Sequence, residues 1–193
     1  MKVILASASP RRRELLKTII PEFEIAPSRD IDETYPDTLS PDDVPVYLSA
    51  LKSAAYADIL TDGDVLVTAD TVVVLGDRIL GKPAGRDDAI AMLNALSGQT
   101  HRVITGVSLA AKGRDTVSFS AITEVSFARL SQADIEYYVD NYRPFDKAGA
   151  YGIQEWIGAA AVEKISGSYY NVVGLPLHAL FTRLREFVSL SQN

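Results

Sequence analysis

Residues 3–16 constrain the fold of this chain more than any other segment. The apolar run 3–5 predicts a short buried strand, and the small residues that follow it predict a turn. Ser9 is a preferred N-cap residue and Pro10 is preferred at the first helical position, so a helix is expected to begin there. The segment therefore predicts a strand, a turn and a helix in immediate succession.

The same helix start carries three arginines, Arg11, Arg12 and Arg13. A helix N-terminus has a partial positive charge, which disfavours each partly exposed cation there by roughly 0.3–1 kcal/mol. Free backbone N–H groups and the hydroxyls of Ser7 and Ser9 are directed at the same place. Three solvated arginines on a surface helix are the simpler interpretation of such a cluster alone. The strand, turn, capped helix and arginines together favour a site for a multiply charged anion such as a polyphosphate.

The rest of the chain alternates between strand and helix patterns. Strands are predicted at 23–26, at 65–69 with an end at Asp70, at 71–75 in extended form up to a Gly76-Asp77 hairpin turn, at 103–110 and 117–127 as an antiparallel pair, and at 159–165. Helices are predicted from the Ser-Pro-Asp-Asp start at 40–43, over 87–97, from Ser131 and from Pro176, and 143–156 has the glycine-punctuated composition of a binding loop. This order predicts a mixed-sheet α/β or α+β domain over 1–193 without a linker.

Composition narrows the possible partners. The net charge of −6 and the pI near 4.9 argue against a nucleic-acid duplex or an anionic membrane as a partner. The chain has no cysteine, and His101 and His178 lack the spacing of metal ligands. No uncharged apolar run approaches the roughly 18 residues that a membrane span needs, and the segment before the arginines is too short for a signal peptide. A cytoplasmic protein is expected.

Acidic residues are the first candidates for chemistry, since the chain lacks the P-loop, dinucleotide-binding and nucleophile-elbow motifs. Asp70 is predicted at the end of a buried strand, where a carboxylate is suited to bind a divalent metal and to take a proton from water. An ordinary turn or N-cap role for Asp70 is about equally compatible with its position. Glu33, next to Asp32, is a candidate second metal ligand, although an acidic loop is usually solvated surface.

Two lysines complete the candidate set. Lys52 shares the apolar helix face of Leu48 and Ala55, so its ammonium must reach solvent or find an anion. Lys82 follows a predicted strand between a glycine and a proline, a position that is often simply solvated. With Arg11 and Arg12, these lysines would form a cationic cradle opposite the candidate carboxylates. Polyphosphate chemistry needs this pairing, because cations neutralise charge while a carboxylate orients water.

The motifs resemble those of the Maf family of nucleoside triphosphate pyrophosphatases. The resemblance rests first on Leu-Ala-Ser-Ala-Ser-Pro-Arg-Arg-Arg-Glu-Leu-Leu at 5–16 and spans essentially the whole chain. The other matching segments are Asp32-Glu33, Lys52 in its helix, Ala69-Asp70-Thr71, Gly81-Lys82-Pro83, 96–101, 146–154, Gly167-Ser168-Tyr169 and 173–176.

The resemblance implies an inosine-triphosphatase-like α/β fold, with a long mixed sheet and two lobes around a deep cleft. It implies hydrolysis of a nucleoside triphosphate to the monophosphate and pyrophosphate with a divalent cation, Mg²⁺ or Mn²⁺. Asp70 would be the general base, and Glu33 would join it in holding the metal. The phosphates would be contacted by Ser7, Ser9, Arg12, Lys52 and Lys82.

Base specificity is implied at Arg11, Thr71 and Gln154, and these residues resemble the branch that acts on dTTP and UTP. The branch for 7-methyl-GTP carries a bulky aromatic where Arg11 stands. Glu155 and Trp156 follow the glutamine where smaller residues are more usual, and Arg13 falls at a variable position.

Two other classes of function are considered for this sequence because neither requires turnover. The family is also linked to septum formation, so one alternative is a nucleotide-binding regulator of cell division with little turnover. The presence of Asp70, Lys52 and Lys82 together argues against it, because a sensor does not need a carboxylate that activates water. A structural or nucleic-acid-binding module is disfavoured by the acidic pI. A homodimer is compatible with the sequence, which contains no feature that requires one.

Overall fold

The computed structural model describes residues 2–189. Within them lie seven strands: β1 Lys2–Leu5, β2 Glu24–Ile25, β3 Asp64–Leu75, β4 Arg78–Leu80, β5 Thr100–Ala110, β6 Val117–Phe127 and β7 Val162–Ser166. The same range contains seven α-helices: α1 Pro10–Ile19, α2 Val44–Ala54, α3 Arg86–Leu96, α4 Gln132–Tyr142, α5 Trp156–Ala161, α6 Tyr169–Val173 and α7 Leu177–Ser189. Short 3-10 helices occupy Ala57–Ile59 and Ala148–Ala150.

The strands of residues 2–189 form one mixed sheet. Its order is β2-β1-β3-β5-β6-β7, and β4 pairs with β3 outside this path. Strand β1 runs parallel to both β2 and β3, with Leu5 opposite Ile25 and Val67. The β3–β4 and β6–β7 pairs are antiparallel. The predicted mixed-sheet α/β class is confirmed.

The chain folds into two compact units, each with a core of its own. The first unit comprises the residues up to Asp70, Thr105–Ala121 and the residues from Gly174 onward. Its core includes Leu5, Leu16, Val67, Leu109 and Leu180. The second unit comprises Thr71–Ile104 and Ile122–Val173, and its core includes Leu80, Leu93, Val125, Ile135 and Ile157. Each unit therefore packs its helices and strands around an apolar core of its own.

Several local predictions are confirmed. Ser9 is the N-cap of α1 with Pro10 in the first turn, and Ser131 caps α4 in a capping box with Asp134. Gly76, with a φ of 61°, lies in the turn that joins the antiparallel strands β3 and β4. The predicted partners β5 and β6 are neighbours in the sheet. None of the helices within residues 2–189 has the length and apolar composition needed to cross a membrane.

The prediction that a strand ends at Asp70 is wrong. Strand β3 continues through Asp70 to Leu75, because residues 73–75 pair with β4 and the apolar residues 72–75 are mostly buried. Asp70 therefore lies in the middle of a twelve-residue strand, and Thr71 is the next residue of the same strand.

Two other predicted boundaries are also wrong. The helix expected from the signal at 40–43 begins only at Val44, because residues 41–43 form a turn. Ser40 Oγ donates a hydrogen bond to Asp43 Oδ2 (2.7 Å) across this turn. The predicted strand at 159–165 begins later, because its first three residues are alanines, which have the highest helix propensity and complete α5. The short helix α6 was not predicted.

Candidate active site

The loop between β1 and α1 is held by its own serines. Ser7 Oγ accepts a hydrogen bond from the Ser9 N–H (3.2 Å), and Ser9 Oγ accepts one from the Arg12 N–H (3.4 Å). The guanidinium of Arg13 donates two hydrogen bonds to the Ser7 carbonyl, at 3.4 and 3.3 Å. Both predicted serines thus fix the turn, and their hydroxyls retain a donor and a second lone pair for a ligand. Arg13, which has no role in the sequence-based prediction, also fixes this turn.

Arg12 is half-buried and ties the start of α1 to β3. Its Nε donates to the Gly174 carbonyl (2.8 Å), and its Nη1 donates to the Ala69 carbonyl (2.9 Å). The pKa of Arg12 is lowered, chiefly by burial and also by the charge of Arg11. The negative charges of Asp70 and Glu33 act in the opposite direction. Because an arginine is not deprotonated in proteins, Arg12 is a fixed positive charge next to Asp70.

The ammonium of Lys52 bridges the two candidate carboxylates. Its Nζ lies 2.6 Å from Asp70 Oδ1 and 3.0 Å from Glu33 Oε2. The side chains of Lys52 and Asp70 are only 14% and 13% exposed, whereas that of Glu33 is 52% exposed. A largely buried ion pair therefore extends to solvent through Glu33. The anion that Lys52 requires on its apolar helix face is Asp70, supplied by β3.

The first unit thus brings four of the predicted residues together, namely Arg12, Glu33, Lys52 and Asp70. Lys52 contacts both carboxylates, and the charges of Asp70 and Glu33 act on Arg12, so the two cations and the two carboxylates offset one another. Chemically, a phosphate oxygen can replace a carboxylate as the partner of Lys52, and a carboxylate can accept a proton from water. Arg11 occupies the first turn of α1 in the same unit, half-buried.

The donor set fits a divalent cation held jointly with substrate phosphates. Within residues 2–189, no cluster of three or more histidines, aspartates or glutamates is arranged to hold a metal. Mg²⁺ is usually bound by one or two carboxylates together with water and phosphate oxygens, and does not need an all-protein cage. Glu33 and Asp70, brought together by Lys52, supply such a pair of carboxylates.

The other predicted residues belong to the second unit. Lys82 is exposed just after β4, Thr71 is half-buried in β3, and Gln154 is exposed between the second 3-10 helix and α5. The Gly149 N–H donates a hydrogen bond to the Gly81 carbonyl (3.0 Å), which fixes the backbone next to Lys82.

The sequence-based prediction missed a group of polar residues near Gln154. Lys147 is buried, and its Nζ lies 2.9 Å from Asp146 Oδ1 and 3.1 Å from Glu155 Oε1. The Tyr138 hydroxyl donates to Glu155 and accepts a hydrogen bond from the Gly152 N–H at 3.0 Å. The glycine-punctuated composition of 143–156 indicated a binding loop. The separation of eight residues between Lys147 and Glu155 matches no local spacing rule.

Comparison with known families decides where this chain belongs. A family model described as "Maf-like protein" matches residues 2–187. The chain belongs to the Maf family. The resemblance predicted from the motifs is therefore confirmed, and it extends over nearly the whole chain.

Curated members of the Maf family are similar to this chain along almost their entire length. A protein from Phocaeicola vulgatus named dTTP/UTP pyrophosphatase is 51% identical over 185 residues, which cover 96% of this chain and 95% of the relative. One of the same name from Flavobacterium psychrophilum is 48% identical over 183 residues, covering 95% and 93%.

Solved structures show that this Maf protein shares its fold with Ham1 proteins. The Ham1 protein of Staphylococcus aureus superposes with a TM-score of 0.58 at 16% identity, covering 96% of this chain and 99% of that one. A HAM1 protein from Coxiella burnetii gives a TM-score of 0.52 with the same identity and coverage. The expected inosine-triphosphatase-like fold class is confirmed.

Proposed function

We propose that this Maf protein is a nucleoside triphosphate pyrophosphatase that hydrolyses dTTP and UTP to the monophosphate and pyrophosphate. The observation that carries the proposal is the contact of Lys52 with both Asp70 and Glu33 beside the half-buried Arg12. Relatives of about the same length, 51% and 48% identical, bear the name dTTP/UTP pyrophosphatase. A cytoplasmic location belongs to the same proposal, since its substrates are free nucleotides.

Asp70 is assigned as the general base. Its carboxylate accepts a proton from water while the water oxygen bonds to a phosphorus of the α–β anhydride. The bond from that phosphorus to the bridging oxygen breaks, and pyrophosphate and the monophosphate separate. Lys52, 2.6 Å from Asp70 Oδ1, orients this carboxylate. Arg12, bonded to the carbonyl of Ala69, holds a positive charge next to it.

Glu33 and Asp70 are assigned as the residues that hold Mg²⁺ or Mn²⁺, with the substrate phosphates completing the coordination. When bound, the cation neutralises charge that develops on the phosphate oxygens. Ser7, Ser9 and Lys82 are assigned to phosphate contacts. Arg11, Thr71 and Gln154 are assigned to recognition of the base, as the resemblance implies. A homodimer stays a prediction.

Product analysis by anion exchange tests the proposal. Purified protein is incubated separately with dTTP, UTP, CTP, GTP and 7-methyl-GTP, in the presence of Mg²⁺ or Mn²⁺. We expect thymidine and uridine monophosphates with equimolar pyrophosphate, formed faster than the products from the other three nucleotides. Diphosphate plus inorganic phosphate would show that the γ-phosphate is attacked. The absence of product from all five nucleotides would contradict the proposal and favour a binding regulator.

A further inference from the structure

The second unit contains a buried polar network that the proposed function does not use. Lys147 is only 8% exposed, and its ammonium contacts Asp146 and Glu155. Glu155 also accepts a hydrogen bond from the Tyr138 hydroxyl of helix α4. The same hydroxyl accepts the Gly152 N–H at 3.0 Å. The network therefore fastens residues 147, 152 and 155 to each other and to α4.

The network is tightly determined by charge and by space. A buried ammonium is costly unless it is paired, and Asp146 is mostly exposed, so Glu155 is its better-shielded partner. A Cβ atom on Gly152 would lie 2.9 Å from Glu155 Cδ and 3.0 Å from Lys147 Cε. The two charged side chains thus fill the space directly over the Gly152 backbone. Their pairing leaves the segment 146–155 little freedom to adopt another conformation.

This segment contains Gln154 and lies against residues close to Lys82 and Thr71, the other two residues that the proposed function uses in the second unit. Gln154 directly precedes Glu155 in the chain and is exposed. The Gly149 N–H bonds the carbonyl of Gly81, the residue before Lys82. A Cβ on Gly149 would lie 3.0 Å from the side chain of Val73, two residues after Thr71. The conformation of 146–155 therefore determines where Gln154 is presented.

We propose that Glu155 is a positioning residue for recognition of the nucleobase. Its carboxylate, held by Lys147 and by Tyr138, fixes the backbone that presents Gln154 and so sets the discrimination among bases. The inference rests on the proposed function, in which Gln154 contacts the base. It adds a residue whose effect is on base selection through Gln154, with no contact of its own to the substrate.

The test is the variant Glu155→Gln, which keeps the size of the side chain and removes its charge. The matched control is Glu163→Gln, since Glu163 is an exposed glutamate of β7 in the same unit. The values of kcat and KM are measured for dTTP, UTP, CTP and GTP, and the Kd values of TMP and CMP by calorimetry. We expect the dTTP-to-CTP ratio of kcat/KM to change about tenfold in Glu155→Gln, the size that a small misplacement of a binding group produces. The change is expected in KM, with kcat for dTTP within about twofold of wild type and the control unchanged.

A second variant separates positioning from folding. Tyr138→Phe removes the hydroxyl that joins Glu155 to Gly152, and it is expected to shift the same ratio in the same direction. The double variant is expected to add little, because both changes break one network. If Glu155→Gln does not fold, as judged by thermal melting, the ratio in Tyr138→Phe decides the question. Unchanged ratios in the folded variants would overturn the inference.

Failure of the proposed function is distinguishable from failure of this inference. If the wild-type protein hydrolyses none of the four nucleotides, the proposed function fails. The Kd ratio of TMP to CMP then decides the role of Glu155 by itself. A change of about tenfold in this Kd ratio in Glu155→Gln supports the inference, because a misplaced Gln154 binds the base less selectively. An unchanged Kd ratio overturns it.

Discussion

At the scale of single residues, one ammonium group organises the acidic part of the candidate site. Lys52 lies within 3.0 Å of both Glu33 and Asp70, and two carboxylates so placed would repel each other without it. Its need for an anion was predictable, because Lys52 shares a helix face with apolar residues. The identity of the second partner, Glu33, was not predictable from spacing, since it lies in a loop nineteen positions earlier in the chain.

Substitution of Lys52 by methionine tests this arrangement. Lys52→Met keeps most of the apolar stem and removes the charge, so Asp70 loses its orienting partner and the phosphates lose a cation. We expect kcat/KM for dTTP to fall by about 10² or more, comparable to the loss of one preorganised electrostatic group. Lys17→Met, at the exposed end of α1, is the control and is expected to retain full activity. Full turnover in Lys52→Met would remove Lys52 from the mechanism.

His101 makes folding sensitive to acid. It is buried, its Nε2 contacts the Tyr151 hydroxyl at 2.8 Å, and its Nδ1 has no hydrogen-bond partner within the described residues. Burial lowers the pKa of His101 from 6.5 to about 4. Between these values the unfolded chain binds a proton that the folded protein does not, so the free energy of unfolding falls as the pH falls. The pKa difference at His101 thereby lowers the free energy of unfolding by about 2 kcal/mol between pH 7 and pH 5.

Urea denaturation at pH 7, 6 and 5 checks this prediction. His101→Gln retains a group that can bond Tyr151 but cannot be protonated. We expect its stability to fall less steeply with acid than that of the wild type, by about 2 kcal/mol over the range. His178→Gln, at an exposed position, is expected to follow the wild type. Identical slopes in all three proteins would show that His101 is not protonated on unfolding.

At the scale of elements, two helix starts followed from local signals, whereas the end of β3 did not. Ser9 with Pro10, and Ser131 with Asp134, are local signals, and both helices begin where these signals place them. The end of β3 depends instead on β4, which pairs with residues 73–75 through the hairpin. Strand pairing is a tertiary contact. The sequence alone therefore does not show that β3 continues through a polar residue such as Asp70.

Gly106 in β5 tests how closely the elements of the first unit pack. A Cβ on this glycine would lie 2.2 Å from the carbonyl carbon and oxygen of Pro45 at the start of α2. Backbone atoms cannot yield as side chains do, so Gly106→Ala is expected to cost about 3 kcal/mol or more. The control is Gly85→Ala, since a Cβ there meets nothing within 4 Å and its φ of 176° is extended backbone. Equal melting temperatures for the two variants would contradict this packing.

At the scale of the whole molecule, the order of elements predicted the class of fold, and the contacts among distant segments did not follow from it. The sheet order β2-β1-β3-β5-β6-β7 places strands side by side that are far apart in the sequence. Each compact unit is likewise assembled from separate stretches of chain. Periodicity reports burial of a segment and carries no information about its partner. Arg12, Glu33, Lys52 and Asp70 were therefore predictable as candidates, while the distances between them were not.

The molecule is expected to need a divalent cation for turnover and not for folding. The two carboxylates assigned to the cation, Glu33 and Asp70, are already paired with Lys52, so we expect the protein to fold without the ion. We expect EDTA to abolish hydrolysis of dTTP, to leave the melting temperature within about 2 °C, and to prevent the stabilisation that nucleotide with Mg²⁺ provides. Activity is measured with and without added Mg²⁺ after chelation. Unfolding by EDTA alone would reveal a structural metal.

The most direct test of the central claim compares two aspartates of the same strand. Asp70→Asn and Asp64→Asn are assayed with dTTP and Mg²⁺ below their melting temperatures, with products resolved by anion exchange. Asp64 is also buried, but it contacts Lys2 and Thr61 and lies outside the Lys52 cluster. We predict monophosphate and pyrophosphate from the wild type and Asp64→Asn, and a loss of at least about 10² in kcat for Asp70→Asn. Equal rates for wild type and Asp70→Asn would contradict the assignment of Asp70 as the base.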